Sequence, residues 1–307
     1  MIDYQDREPS GDVMNSNSRV IEAIEELREC VSQWRRENRT IGLVPTMGAL
    51  HAGHRSLIDA ARSECEAVVV SIFVNPTQFG PTEDFSRYPR TFESDRAMCA
   101  EAGVDLIFLP SAEAIYPPGF ATFVEVGRIS DRLEGAARPG HFRGVATVVL
   151  KLFELVRPDV AYFGAKDYQQ QLLIRRMTRD LDLPIRIETR PTLREADGLA
   201  MSSRNRYLSD SERTRARAIS AALFTGRDRL RSGERDLDAI RREMRQIMED
   251  GGLEVDYAAI CDIETLEELS SIQPRMALLI AARLGSVRLI DNLEVMLDSE
   301  AENTSDM

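Results

Sequence analysis

Short apolar, β-branched segments alternate with amphipathic helical patterns between residues 41 and 190. The predicted strands span 41–46, 67–74, 105–109, 159–164 and 185–190. The predicted helices between them span 54–65, 94–102, 144–156 and 168–181. This alternation is typical of parallel βαβ units whose helices cover both faces of the sheet. It therefore predicts an α/β fold with a doubly wound parallel sheet, in which ligands bind beyond the carboxyl ends of the strands.

The segments on either side of this region complete the predicted organisation. A first helix is predicted from an apolar stripe formed by Val20, Ile21, Ile24, Leu27, Val31 and Trp34. After Pro191 the pattern changes to two consecutive helices and then three strands, at 209–232, 236–250, 254–262, 275–283 and 286–291. We therefore predict an N-terminal domain over 19–191 and a smaller α+β C-terminal domain over 192–297. Residues 1–18 and 298–307 are polar, and we predict that they are disordered tails.

The composition excludes several classes of protein. A net charge of −12 argues against a general nucleic-acid binder, which needs a basic face for phosphate contacts. No apolar run approaches the roughly 18 residues of a membrane span, and the N-terminus lacks the pattern of a signal peptide. The four cysteines are widely spaced, which favours reduced thiols over a zinc site or a disulfide framework. We expect a soluble cytoplasmic protein that binds neither nucleic acid nor a membrane.

Two of the three histidines in the chain lie in the segment Val44–His54, where a predicted strand gives way to a helix. His51 and His54 thus fall at a helix N-terminus, where unpaired N–H groups and the helix dipole favour an anion. Two imidazoles there can donate hydrogen bonds to a phosphate whose charge grows in the transition state. Gly48 and Gly53 have no Cβ, so a base and a triphosphate can approach the backbone. The motif predicts a phosphate site; the alternative is that His51 caps a turn and His54 is a surface histidine.

The turn Gly164-Ala-Lys-Asp167 follows another predicted strand, so it falls at the same edge of the sheet. Lys166 would be a point charge suited to phosphate oxygens, and Asp167 would either accept bonds from ribose hydroxyls or cap the next helix. Gln170 shares the apolar face of that helix with Leu173 and Ile174. Because a buried amide needs partners, a polar substrate group is a candidate partner for Gln170.

Two further segments carry polar groups suited to a small acid or a phosphate. Asn75 and Gln78 follow the strand at 67–74, and their amides could bind hydroxyl and carboxylate groups. The segment 199–205 offers two hydroxyls, backbone N–H groups and a guanidinium, which fits a loop that closes over a leaving pyrophosphate. A basic surface loop is the alternative for that segment. Neither a GxGxxG motif nor a Walker loop is present, so the usual dinucleotide and P-loop interpretations fail.

Several motifs together resemble the pantothenate synthetase (pantoate–β-alanine ligase) family, in order from about residue 19 to residue 296. They are VPTMGALHAGH, SIFVNPTQF, YPRT, HFRGVATVV, FGAKDYQQ, READGLAMSSRN and RLIDN. His-x-Gly-His by itself marks only the wider nucleotidylyltransferase superfamily, which includes class I aminoacyl-tRNA synthetases. The resemblance implies a homodimer with a Rossmann-like N-terminal domain and a small C-terminal lid. It also implies a two-step reaction: ATP and pantoate give pantoyl adenylate and pyrophosphate with Mg²⁺ as cofactor, and β-alanine then releases AMP and pantothenate.

The resemblance also assigns roles to residues at matching motif positions. The catalytic set would be His54 as proton donor with His51, Lys166 and Arg204. Pantoate would be held by Gln78 and Gln170, and Asp95 would help to place the metal, directly or through water. The ATP site would be formed by Met47, Gly48, Ala49, Leu50, His51, Ala52, Gly53, His54, Gly164, Ala165, Lys166, Asp167, Leu193, Met201, Ser202, Ser203 and Arg204.

One position departs from the family pattern. The family usually carries Glu or Gln where this chain has Ala165, directly before Lys166. We expect the departure to be harmless because the side chain there would face solvent. The alternatives are a catalytically inactive binding paralogue, motivated by Ala165, and another nucleotidylyltransferase that acts on a different small acid.

Overall fold

A computed structural model describes residues 18–81 and 83–297. The predicted tails therefore lie outside the described residues, except for Ser18. Two sheets organise the described chain: a six-stranded parallel sheet and a three-stranded antiparallel sheet. None of the helices in these two ranges is both long enough and apolar enough to cross a membrane.

The N-terminal part contains six strands and seven helices among the described residues. The strands are β1 (Arg19–Ile21), β2 (Ile41–Thr46), β3 (Ala67–Ile72), β4 (Leu106–Phe108), β5 (Val160–Gly164) and β6 (Arg186–Arg190). The helices are α1 (Ile24–Arg36), α2 (Ala52–Glu64), α3 (Phe92–Glu101), α4 (Ala112–Ile115), α5 (Glu134–Ala137), α6 (His141–Val156) and α7 (Tyr168–Asp180). Short 3₁₀ turns lie at Pro76–Gln78 and Ile129–Asp131.

The C-terminal part begins with a 3₁₀ turn at Ser203–Tyr207 and continues with two helices and three strands. They are α8 (Asp210–Arg231), α9 (Leu237–Asp250), β7 (Glu254–Cys261), β8 (Arg275–Leu284) and β9 (Val287–Met296). A capping box starts α8, since the Ser209 hydroxyl and the Glu212 carboxylate each accept from the other residue's backbone N–H. All the strands and helices predicted from residue 41 onward are found; β2 has the predicted ends, and the other elements are shifted at one or both ends.

The start of the chain differs from the prediction. Val20 and Ile21 do not belong to the first helix; they lie in β1, which pairs in parallel with β4. The remaining positions of the predicted stripe belong to α1, which begins at Ile24. A strand of three residues has no periodicity of its own, and only the open edge of β4 more than 80 residues away gives these residues a partner.

The order of strands in the large sheet identifies where a ligand can bind. The order is β1-β4-β3-β2-β5-β6, and every pair is parallel. From β2 the chain first builds outward through β3 and β4, and then returns to the other side of β2 to add β5 and β6. The crevice at such a reversal lies beyond the carboxyl ends of the two central strands, here at Thr46 and Gly164. The turns that carry His51 and Lys166 start at these two ends.

The small sheet is buried on both faces and joins the two parts of the chain. Alternate side chains of a strand point to opposite faces. One face belongs to the core of the N-terminal domain, through Ala259, Cys261, Ala277 and Leu279. The other face packs on α8 and α9, through Ile260, Met276, Leu278 and Ile280. The C-terminal domain is thereby held over the carboxyl edge of the large sheet by a shared apolar core.

Candidate active site

A cavity of about 580 Å³ lies at the carboxyl ends of β2 and β5, below the C-terminal domain. It brings together predicted residues from five separate segments of the chain. Those that line it are Met47, His51, Gly53, His54, Gln78, Gly164, Lys166, Asp167, Gln170, Leu193, Met201, Ser202, Ser203 and Arg204. The other predicted residues, which support this wall without lining it, are Gly48, Ala49, Leu50, Ala52, Asp95 and Ala165.

Asp95 anchors the loop between β2 and α2. Its carboxylate accepts hydrogen bonds from the backbone N–H groups of Ala49 (2.9 Å) and Leu50 (2.8 Å), and from the Thr91 hydroxyl (3.1 Å). The side chain is buried, and both oxygens are occupied. The prediction that Asp95 helps to place a metal is therefore not supported; we assign it to holding the loop in shape.

Gly48 and Gly53 are each required by contacts within the protein, whether or not a nucleotide approaches them. Gly48 has a φ of +78°, and a Cβ there would lie 3.0 Å from the Asp95 carboxylate. A Cβ on Gly53 would lie 2.8 Å from the His51 ring. Both glycines are therefore explained by contacts within the protein, which the prediction had overlooked.

His51 and His54 cap the first turn of α2 reciprocally. His51 Nδ1 accepts from the Gly53 N–H (3.1 Å), and His54 Nδ1 accepts from the His51 N–H (3.3 Å). A neutral imidazole that accepts at Nδ1 carries its proton on Nε2. The capping alternative is thus correct for His51, but it does not exclude phosphate chemistry. The cap fixes both rings in the tautomer that leaves Nε2–H available as a donor.

Both rings are neutral at physiological pH. Burial, together with the charge of Lys166, lowers the pKa of His51 from 6.5 to about 4. Burial and the neighbouring His51 ring lower the pKa of His54 from 6.5 to about 3. The rings are 4.2 Å apart between centroids, so charging one would repel the other. A pair of neutral donors can stabilise a growing negative charge without titrating near pH 7.

The lowered pKa values of His51 and His54 predict how the stability of the fold depends on pH. The unfolded chain binds protons on its histidines near pH 6.5, whereas His51 and His54 in the folded protein do so only near pH 4 and below. Their contribution to the free energy of unfolding is therefore complete above pH 6.5 and falls as the pH decreases toward 4. Urea denaturation at several pH values measures this decline. NMR titration provides the direct check: either imidazole titrating near pH 6.5 in the folded protein would contradict the assignment.

The turn after β5 presents Lys166 and Asp167 to the cavity. The Lys166 side chain is mostly buried, and its Nζ lies 3.8 Å from an Asp167 oxygen. Asp167 occupies the N-cap position of α7 without making a capping hydrogen bond, and its side chain is half exposed. Burial raises the pKa of Asp167, but the charges of Lys166 and Arg204 outweigh this and lower it. The carboxylate is therefore ionised and available to a ligand.

Gln78 and Gln170 lie on the same cavity wall in different settings. Gln78 is buried; its Oε1 accepts from Asn75 Nδ2 (3.1 Å), and its Nε2 lies 3.0 Å from the Met47 sulfur. Asn75 also donates to the Gly144 carbonyl, so it holds Gln78 in place. Gln170 is only half-buried, and its side chain makes no hydrogen bond to another described residue, so its amide is open to the cavity.

Gln170 is less buried than predicted: Leu173 and Ile174 on its face of α7 are buried, but Gln170 itself is only half-buried. Its two neighbours, Gln169 and Gln171, are buried. Gln169 donates to the carbonyls of Ile129 and Arg132, so the 129–134 segment covers this side of the helix. That segment packs on α7 from a distant part of the chain, and the spacing of apolar residues within α7 carries no sign of it.

The loop after Leu199 is tied to its surroundings. The buried Ser203 donates its hydroxyl to the Ala49 carbonyl (3.0 Å), and Ser202 caps the following 3₁₀ turn. Arg204 makes a two-point ion pair with Asp84, at 2.9 and 3.0 Å. The guanidinium therefore faces a carboxylate here, and it would have to exchange this partner to reach a phosphate.

Two polar groups of the wall, His141 and Glu134, were missed by the sequence reasoning. His141, in the quoted motif HFRGVATVV, bonds the Gln78 carbonyl through Nδ1 (2.8 Å) and Arg138 through Nε2 (3.0 Å). Glu134 is buried against Arg288 of β9, with oxygen–nitrogen distances of 2.5 and 2.7 Å. The available signal was motif membership, since His141 begins the quoted motif HFRGVATVV and Arg288 begins the quoted motif RLIDN; nothing local marked Glu134.

Comparison with known proteins adds an independent line of evidence. The family model described as pantoate-beta-alanine ligase matches residues 19–294. The chain belongs to the pantoate-beta-alanine ligase family. The matched range spans the whole cavity, including His51 and His54 on one wall and the β9 residues on the other.

Individual members of the pantoate-beta-alanine ligase family are similar over nearly their full length. A pantothenate synthetase from Moorella thermoacetica is 52% identical over 275 residues, covering 89% of this chain and 97% of that protein. Pantothenate synthetase 1 from Bradyrhizobium diazoefficiens is 55% identical over 280 residues, covering 90% and 97%. A crystal structure of pantothenate synthetase from Thermus thermophilus has a TM-score of 0.86 at 48% identity, covering 91% and 99%.

A second solved structure of this family holds ligands. The pantoate-beta-alanine ligase from Francisella tularensis, complexed with beta-gamma ATP and beta-alanine, has a TM-score of 0.75 at 36% identity. It covers 90% of this chain and 97% of its own length. The α/β fold with a smaller C-terminal domain is thus confirmed by family members.

Proposed function

We propose that this protein joins pantoate to β-alanine with ATP, through a pantoyl adenylate, and releases AMP and pyrophosphate. One observation carries the proposal. Two neutral imidazoles at the start of α2 and the Lys166 ammonium after β5 line the same crevice as the amides of Gln78 and Gln170. Donors for a polyphosphate and donors for a small hydroxy acid therefore share one cavity.

In the first step the pantoate carboxylate attacks the α-phosphate of ATP, and pyrophosphate leaves. His51 and His54 donate from Nε2 to phosphate oxygens, and Lys166 supplies a positive charge as negative charge builds up in the transition state. Gln78 and Gln170 hold pantoate in position for attack. Met201, Ser202, Ser203 and Arg204 enclose the phosphates.

In the second step the amine of β-alanine attacks the acyl carbon, and AMP leaves. The apolar part of the cavity wall, formed in part by Phe73, Val145 and Val149, excludes water that would otherwise hydrolyse the acyl adenylate. Asp167 and the backbone around Gly164 hold the nucleotide, with Leu193 beside them. The described residues thus provide for both steps without moving the intermediate to another site.

Magnesium does not fit a site made by the protein alone. No group of three or more His, Cys, Asp or Glu side chains within residues 18–81 and 83–297 is arranged to hold a metal ion. Of the carboxylates on the cavity wall, Glu83, Asp84 and Glu134 are each paired with an arginine. Mg²⁺ often binds through substrate phosphates and few protein ligands. We propose that it enters with ATP.

Two further properties are proposed from the family resemblance. The protein would act in the cytoplasm, as expected for an enzyme whose cysteines are unpaired; Cys30, Cys65, Cys99 and Cys261 are all free thiols in the structure. It would also form a homodimer. Light scattering of the purified protein would test the second property, and a mass of one chain at micromolar concentration would contradict it.

The reaction products test the proposed function. With ATP, Mg²⁺ and pantoate present, we expect pyrophosphate release in a single turnover, and pantothenate with AMP only after β-alanine is added. Replacing pantoate with other small hydroxy acids tests whether a different acid is the substrate. Formation of ADP and phosphate would point to an acyl phosphate and would overturn the adenylate mechanism. Absence of any turnover would favour an inactive binding paralogue.

Gln170→Ala should separate pantoate binding from ATP binding. The Gln170 amide makes no hydrogen bond within the described protein, so its removal should weaken pantoate by about 1–3 kcal/mol, with ATP affinity nearly unchanged. Calorimetric titration with each substrate separately measures both effects. Loss of ATP affinity with pantoate affinity retained would show that the two subsites are reversed.

Ala165→Glu is the control for Gln170→Ala, and it lies in the Gly164–Asp167 turn directly before α7. Ala165 does not line the cavity, and its backbone N–H donates to the Arg190 carbonyl (2.8 Å). We expect the added carboxylate to change both affinities little. A large gain in activity would show that the departure from the family pattern has a functional effect.

A further inference from the structure

Asn292 of β9 makes the direct hydrogen-bonded contact between the C-terminal domain and the turn that carries Lys166. Its Nδ2 donates to the Ala165 carbonyl (2.9 Å) and to the Lys166 carbonyl (2.7 Å). Both amide hydrogens are therefore used on consecutive peptide groups. The residue is buried, at 7% exposure. Two hydrogen bonds to adjacent carbonyls fix the orientation of the backbone on both sides of the Lys166 Cα.

Asn292 is itself held in place by a buried ion pair. The preceding Asp291 accepts from Arg194 at 2.6 and 3.1 Å and from the Asn292 N–H at 2.8 Å. Arg194 also donates to the carbonyls of Asn292 (3.2 Å) and Gly198 (3.2 Å). Asp291 is 3% exposed, so these contacts are shielded from water. The position of the Asn292 amide is set before any ligand binds.

The same contacts join the two loops proposed to bind the phosphates, which are the Leu193–Arg204 segment and the Gly164–Asp167 turn. Arg194 follows Leu193 in the segment that leads to Met201–Arg204, and the Met201 N–H donates to the Leu193 carbonyl (2.9 Å). On the other side, the only described ion pair of Lys166 is with its neighbour Asp167, at 3.8 Å. A flexible side chain whose one ion pair is this long takes its direction largely from its backbone.

We propose that Asn292 is a positioning residue that sets the Gly164–Asp167 turn, and with it Lys166, for the nucleotide, so that adenylation depends on the placement of the C-terminal domain. The proposal rests on the proposed function, because it takes this turn to be part of the ATP site. It also explains the motif RLIDN, which no proposed catalytic role had used, because the last two residues of that motif connect Arg194 to the turn.

Asn292→Leu tests the proposal, because leucine keeps a similar volume and removes both donors. We expect the KM for ATP to rise and pantoate-dependent pyrophosphate release to slow. Because two hydrogen bonds are lost, kcat/KM for ATP should fall by about tenfold to a hundredfold. The KM for pantoate should change less than about twofold. A merely structural role would not produce this split between the two substrates, because partial unfolding lowers the amount of active protein for both.

Glu294→Ala is the matched control on the same strand. Glu294 lies two residues further along β9, is exposed, and accepts from the Tyr168 hydroxyl of the N-terminal domain (2.8 Å), but it does not line the cavity. We expect it to leave both KM values within about twofold of the original. Any change in KM caused by Glu294→Ala measures how the loss of another contact between the domains affects the reaction.

The outcomes are distinguishable. If Asn292→Leu leaves the KM for ATP and the rate of pyrophosphate release unchanged, or raises both KM values equally, the positioning role is wrong. An increase in the KM for ATP from Glu294→Ala equal to that from Asn292→Leu would likewise overturn it. If the unmodified protein releases no pyrophosphate with ATP and pantoate, the proposed function fails instead.

Discussion

His54→Ala should lower the rate of pantoate-dependent pyrophosphate release by about two to three powers of ten, the range for removing one preorganised donor to a developing charge. Lys166→Ala should produce a loss of similar size. His54 is fixed by its Nδ1 contact to the His51 N–H, so its Nε2 donor is already oriented before a substrate binds. Single-turnover measurement of pyrophosphate isolates this step from the attack of β-alanine.

Arg55→Ala is the control for the His54 variant. Arg55 is the next residue on α2, pairs with Asp59 on the surface at 2.7 Å, and does not line the cavity. A surface pair of this kind contributes about 0–1 kcal/mol, so the variant should fold and retain its rate. If His54→Ala kept near-original adenylation while remaining folded, the histidine pair would not be part of the phosphate site.

Arg288→Met should lower the free energy of unfolding by about 3–5 kcal/mol, because it leaves Glu134 buried without its partner. The two side chains are 14% and 7% exposed, and their contact is made through two nitrogens. Glu134 would keep one described side-chain partner, the Tyr257 hydroxyl at 2.8 Å. The contact joins the 129–137 segment to β9, so its loss weakens the junction of the two domains. Equilibrium urea denaturation measures the effect.

Arg186→Met makes the same chemical change at an exposed ion pair. Arg186 lies 3.0 Å from Glu188 and also pairs with Glu64, and the three side chains are 48%, 32% and 46% exposed. The expected loss is less than about 1 kcal/mol. Equal losses from the two variants would show that the Glu134 pair is solvated and contributes no more than a surface contact.

The sequence was sufficient to predict the strands and helices whose apolar residues follow a local pattern. β2, β3 and β5 were found because buried parallel strands are continuous apolar runs, and α2 and α7 because their apolar residues recur at helical spacing. Parallel strands place their carboxyl ends at one edge, so the meeting of His51 with Lys166 could also be predicted. β1 could not, because three residues acquire their structure only from the edge of β4.

The sequence determined which residues form the candidate site, and the tertiary structure decided what each one does there. Motif order located the histidines, Lys166 and both glutamines. Only long-range contacts showed that Asp95 holds loop amides, that Gln169 rather than Gln170 is buried, and that Arg204 faces Asp84. The physical reason is that hydrogen-bond partners and burial depend on segments far apart in the chain, such as β9 against the Lys166 turn, whose approach leaves no periodic signal in either segment.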